Sequence, residues 1–113
     1  MGKVMEEAVA LTTAWGPKTI MLDPTPYEAV RTVVCGHVER VPLGDSGMLL
    51  WVHEEGKLLG LPVNKHATAL WEKYWGPTDV VVGDAVVTGD DDIHGNTVPL
   101  TNAQVAEVLT VWG

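Results

Sequence analysis

Phenylalanine is absent from this 113-residue chain, cysteine and serine occur once each, and no lysine or arginine follows Lys73. Each shortage excludes something. With Cys35 alone, no disulfide can close within the chain, and nothing in its cysteine usage marks an oxidising compartment. The single serine, Ser46, sits in "GDSG", a string also found around the nucleophile of trypsin-like proteases. Those domains are about twice this length, so the string reads here as a turn. Zinc sites need paired ligands at fixed spacing, and one cysteine with four scattered histidines supplies none. The longest apolar runs, "MLLWV" and "VVV", are too short to span a bilayer. A secretory segment is equally hard to find, because "MGKVMEEAVALTTAW" carries acids where an apolar stretch belongs. Glu6 stands where a myristoylation motif has Ser or Thr. The expectation is a cytoplasmic protein with no membrane contact.

Basic residues are also scarce. Fifteen acids face seven lysines and arginines, giving a formal charge of −8. Asp79, Asp84, Asp90, Asp91, Asp92 and Glu107 all follow the last basic residue. A phosphate backbone needs a basic footprint, so direct nucleic-acid binding is not expected. The acidic surface serves solubility first and could meet a basic patch on a partner protein second. Asp90, Asp91, Asp92 and His94 do not make a cation loop: consecutive acids point apart, and the spacing is not that of an EF-hand. They read as a solvated loop, and neither metal nor cofactor is expected.

What is there suffices for a core. Hydrophobic residues make up 46% of the chain and charged ones 19%, which fits one folded domain over residues 1–113. "EAVALTTAW" and "KTIMLD" read as strands joined at "WGPK". A helix follows, with a Thr25–Glu28 capping box, Pro26 in the first turn, a stripe of Tyr27, Val30, Val33 and Val34, and a stop at Gly36. "HVERVPLGDSGMLLWVHEEGKLLGLP" reads as a three-stranded meander turned at "GDSG" and "EEGK", with Lys57 opening its third strand. "NKHATALWEKYWG" is a second helix, capped by Asn64 and striped with Ala67, Leu70, Trp71, Tyr74 and Trp75. "DVVVGDAVVTG" is a buried strand interrupted at Gly83, and "TVPL" a short edge strand. "TNAQVAEVLTVWG" closes as a third helix, with a Thr101–Gln104 capping box and a stripe of Val105, Val108, Leu109 and Trp112. The architecture expected is α+β: a mostly antiparallel sheet with a central three-stranded meander and about three helices on one face.

The segment from "GHVERVPLGDSGMLLWVHEEGKLLGLPVNKHATALW" to "DVVVGDAVVTG" resembles the family called domain of unknown function 3846. The specific elements are "EEGKL-GLP-N--AT-L", Glu54 to Leu70, and the "D-V-G-A-V-G" strand, Asp79 to Gly89. His53 stands where an asparagine is more usual. The likeness spans residues 19 to 89 and implies a bacteriophage, mobile-element or actinobacterial setting. It brings no catalytic residues.

Once turns and caps are assigned, Glu54, Lys57, His66 and Thr68 remain as polar groups near a helix N-terminus. With Asn64 they form the candidate binding site for a ligand or partner. Glu54, Lys57 and Thr68 are expected to be exposed. Asn64→Ala is expected to cost about 1 kcal/mol and Asn64→Asp to be nearly neutral, as for an ordinary cap. No set of acid, base and nucleophile emerges, so catalysis is not expected: Cys35 lies at a helix end as a buried or half-buried structural thiol. The functional expectation is a small, non-enzymatic, phage-encoded accessory protein that binds a host or phage protein, with takeover or counter-defence as one role. The alternative is a small-ligand or nucleotide-binding domain with a pocket near residues 54–68. Either is compatible with a homo-oligomer.

Overall fold

The computed structural model describes residues 5–22, 27–90 and 98–111. Eight elements follow along the chain: β1 (Glu6–Thr12), β2 (Gly16–Leu22), α1 (Tyr27–Val34), β3 (Val38–Pro42), β4 (Met48–His53), α2 (Lys65–Trp75), β5 (Ala85–Gly89) and α3 (Asn102–Leu109). β1 and β2 form a hairpin in register from Glu6↔Leu22 to Thr12↔Gly16. β3 and β4 form a second, closed at "GDSG", where the Leu43 N–H donates to the Met48 carbonyl at 3.0 Å. β5 lies between the hairpins, pairing with β1 through Val9↔Val87 and with β4 through Leu50↔Val87. The sheet is antiparallel throughout, in the order β2-β1-β5-β4-β3. The α+β class and the antiparallel sheet follow the sequence reading.

The helices do not share one face. In β1, β4 and β5 both sets of alternate residues are apolar, so both sides of the sheet must be covered. α1 covers one side, packing Val30 and Val34 against Ala8, Leu49, Trp51 and Val86. α2 and α3 cover the other, packing Ala67, Leu70, Val105 and Val108 against Val9, Leu11, Leu50 and Val87. Each valine or leucine among them contributes roughly 1.5–3 kcal/mol when fully buried. Trp51 lies on the α1 side, where its indole N–H donates to the Thr88 hydroxyl at 2.8 Å. On the other side, the Tyr74 hydroxyl of α2 donates to the Glu107 carboxylate of α3. Burial and then that bond push the Tyr74 pKa up to about 12.

The expected third strand of the meander is a run of turns. Residues 54–60 are coiled by local bonds, Leu59 N–H to the Glu55 carbonyl at 3.0 Å and Leu61 N–H to the Gly56 carbonyl at 3.0 Å. Gly60 adopts φ +67, and Pro62 has no N–H to give a ladder. β5 therefore supplies the strand beside β4, and only a single bridge, Val63↔Val82, follows the turns. Residues 98–100 of "TVPL" are not in a strand either. β5 itself starts after Gly83, which packs against Leu61.

Helix ends follow local chemistry, with corrections. The Thr101–Gln104 capping box forms as expected. α1 ends on Cys35 in the left-handed region, φ 66, and not on Gly36. Gly36 instead makes room for the His53 ring, which would have to shift if a Cβ stood there. Cys35 is exposed, neither buried nor half-buried. Trp75 and Leu109, both assigned to buried stripes, are 44% and 39% exposed. Trp75 instead turns its indole N–H to the Pro42 carbonyl at 2.9 Å. Thr25, Pro26, Asp91, Asp92, His94, Thr97 and Trp112 lie outside the described residues, as does the Tyr27 side chain. Among the described residues no helix is long and apolar enough to cross a membrane.

Candidate functional site

The stretch from His53 to Thr68 divides into an exposed turn and a buried knot. Asn64 forms the knot. It is 1% exposed, and its carboxamide oxygen accepts from the Ala67 N–H at 3.0 Å, as an N-cap should. Its amide nitrogen also donates to the Leu11 carbonyl of β1 at 2.8 Å and to the Gly83 carbonyl at 2.9 Å. One side chain thus ties the start of α2 to the first strand and to the entry of the last. Asn64 has no surface to offer a ligand. Thr68 behaves similarly: its hydroxyl accepts from the Val81 N–H at 2.9 Å and donates to the Val81 carbonyl at 3.3 Å. It is half-buried and occupied, contrary to the exposed position expected for it.

Glu54, Lys57 and His66 keep some access, but they do not converge. His66 faces the β1–β2 turn, beside Trp15 and Gly16, and its Nδ1 lies 3.2 Å from the Val111 carbonyl. Glu54 and Lys57 lie in the turn that precedes the knot. That turn stands between two clefts, and His53 lines both. The His53 Nδ1 accepts from the Glu55 N–H at 3.0 Å, so the neutral ring carries its proton on Nε2.

The first cleft, of about 180 Å³, opens between the β3 edge, the turn, α2 and residues 79–82. Val41, Val52, Trp71, Val81 and Val82 give it buried and half-buried apolar walls. Leu58, 88% exposed, and Val80, 45% exposed, form its lips. Glu39, Glu54, Lys57 and Asp79 rim it with exposed charge. The Lys57 ammonium donates to the Asp79 carboxylate, and this bond, with a second from the Val80 N–H, holds the Asp79 pKa below its ordinary value of 3.8. The Trp71 indole N–H is engaged by the Thr78 hydroxyl at 2.9 Å, which fixes the ring as a wall.

The second cleft lies on the other side of the turn, lined by Cys35, His53, Leu59, Asp84 and neighbours. Its groups are committed elsewhere. Asp84 accepts from the Thr13 N–H at 2.9 Å, and the Cys35 thiol points at the carbonyls of Thr32 and Val33, 3.6 and 3.8 Å away. Among the described residues no group of three or more His, Cys, Asp or Glu side chains could hold a metal ion.

The residues that sequence reasoning missed are Glu39, Leu58, Asp79 and Val80 of the first cleft and Leu59 of the second. "KLLGLP" did carry a signal. Two adjacent leucines followed within four residues by Gly60 and Pro62 suit an exposed turn better than a strand. Glu39, Asp79 and Val80 come from other elements, and nothing local marks them.

Compared with known proteins, the chain matches the family described as Domain of unknown function (DUF3846) over residues 8–113, beyond the span of the motifs quoted above. No curated protein and no solved structure matches it. The chain belongs to the family Domain of unknown function (DUF3846).

Proposed function

We propose that this protein acts by binding another protein, as a phage-encoded accessory factor whose target belongs to the host or to the phage itself. The observation that carries this reading is the turn at residues 54–61. It presents Leu58 and Leu59 to solvent, 88% and 62% exposed, beside an acid-rimmed cleft. Two adjacent exposed leucines on one turn are costly to solubility and suit a surface that a partner covers. The phage setting comes from the family resemblance. A small ligand is less well supported at this cleft, since its volume of about 180 Å³ is below the roughly 300–1,000 Å³ of drug-sized sites.

Affinity capture from a host lysate, run side by side with wild-type protein and a Leu58→Ser/Leu59→Ser variant, tests the reading. A discrete protein retained by the wild type and lost from the variant supports it. Identical retention by both would place the binding surface elsewhere. Stabilisation by a metabolite in a thermal-shift panel, with no protein captured, would favour the alternative. Self-association detected by sedimentation and abolished by the same variant would identify a second copy as the partner.

A further inference from the structure

We propose that the cleft beside β3 receives one long basic side chain of the partner, arginine in preference to lysine, carried on a segment with apolar neighbours. This rests on the binding role proposed above and names the chemistry of its partner. The rim is the first reason. Glu39 from β3, Glu54 from the turn and Asp79 from the segment after α2 bring three carboxylates to one opening, and Lys57 is its sole lysine or arginine. Asp79 is paired with Lys57, whereas the carboxylates of Glu39 and Glu54 have no hydrogen-bond or ion-pair partner among the described residues. A cation entering there is attracted without first breaking an internal pair. The formal charge of −8 on the whole chain adds attraction at longer range.

The wall is the second reason. Val41, Val52 and the half-buried Trp71 ring suit the methylene stem of a basic residue whose charged head stays at the rim. A guanidinium can stack on the indole and fork onto a carboxylate, which an ammonium cannot do as well. The reverse face of the same strand already shows the pairing: the Arg40 guanidinium lies 5.9 Å from the Trp51 ring centroid. Size is the third reason. About 180 Å³ matches a single side chain and not a larger ligand.

The test is an NMR titration of isotope-labelled protein with the pentapeptide Gly-Leu-Arg-Leu-Gly, blocked at both ends, and with its citrulline counterpart. Citrulline keeps the shape of arginine and removes the charge. Saturable shifts of the Trp71 indole and Val80 amide by the arginine peptide are expected, with binding at least about fivefold weaker for citrulline. Glu39→Gln combined with Glu54→Gln is expected to weaken the arginine peptide by about the same factor. Asp45→Asn, in the turn at the opposite end of the β3–β4 hairpin, is expected to leave binding unchanged. Equal binding of the two peptides, shifts confined to another face, or an equal loss on Asp45→Asn would each overturn the proposal. The two readings fail separately. Leucine-dependent capture without cleft shifts by the arginine peptide removes the basic guest and leaves the binding role. Charge-dependent cleft binding with no protein captured removes the role and leaves the chemistry of the cleft.

Discussion

Residues 54–61 and residues 62–68 are neighbours in sequence and opposites in how they use side chains. The first segment satisfies its backbone within itself, through turn bonds such as Leu59 N–H to Glu55 carbonyl. Its side chains are therefore released to solvent, two leucines included. In the second segment, the backbone of residues 81–83 is paired only at one bridge, through Asn64 N–H to the Val81 carbonyl and Gly83 N–H to the Pro62 carbonyl, and side chains add the remaining ties. The Asn64 side chain bonds the carbonyls of Leu11 and Gly83, and the Thr68 hydroxyl bonds the backbone of Val81. A polar residue in a motif therefore reports on function only where the surrounding backbone needs nothing from it.

This contrast is sharpest at Asn64, where the largest effect is expected. Asn64→Ala would remove three buried bonds at once, those to the Ala67 N–H and to the carbonyls of Leu11 and Gly83. At roughly 1 kcal/mol for each buried bond lost, and more for any group left unpaired, the loss should reach about 3 kcal/mol. Asn64→Asp should cost at least as much, because a carboxylate cannot donate to two carbonyls and would bring an unpaired charge inside. Urea denaturation measures both. A near-neutral Asp variant would return Asn64 to the rank of an ordinary cap.

Thr68→Val comes next. It keeps the shape and removes both bonds to Val81, so about 1–2 kcal/mol should be lost. A value near zero would place Thr68 with the exposed turn and break the contrast.

Lys57 and Asp79 should matter less, since their side chains are 60% and 44% exposed. Lys57→Met is expected to cost under about 1 kcal/mol. The sign of its pH dependence follows from the lowered Asp79 pKa. The contribution is complete above the ordinary value of 3.8 and fades as pH falls through the lower folded-state value. The difference in melting temperature between wild type and Lys57→Met should therefore be constant near neutrality and shrink only below that value.

The smallest effect on stability belongs to Leu58→Ser and Leu59→Ser, each within about 0.5 kcal/mol of wild type. Large destabilisation by either would mean the leucines serve the fold, and the turn would lose its claim as a binding surface.

Local chemistry was legible in the sequence, and distant partnership was not. The Thr101–Gln104 box, the cap at Asn64 and the "GDSG" turn each depend on residues a few positions apart. The further bonds of Asn64 reach 53 and 19 residues along the chain, which no short pattern encodes. Apolar runs marked β4 and β5 as buried strands. They could not show that α1 crosses to the opposite side from α2 and α3. For the candidate site, Glu54 and Lys57 stood out because they flank a turn. Glu39 and Asp79 reach the same cleft only through the pairing of β3 with β4 and the path of the chain after α2.

The place of β5 has a consequence for how the chain becomes a sheet. The two hairpins are built from adjacent segments and can close as soon as each is complete, yet they meet only through Ala85–Gly89. In a chain made from its N-terminus, that strand is the last of the five to emerge. Until it arrives, Val9–Leu11 and Met48–Trp51 are open edges lined with apolar side chains, although in the finished sheet both are interior. Insertion of β5 closes the longest loops and joins the two halves in one step, so it should set the folding rate. Substitutions in β5 should slow folding, and those in the β1–β2 turn should mainly speed unfolding.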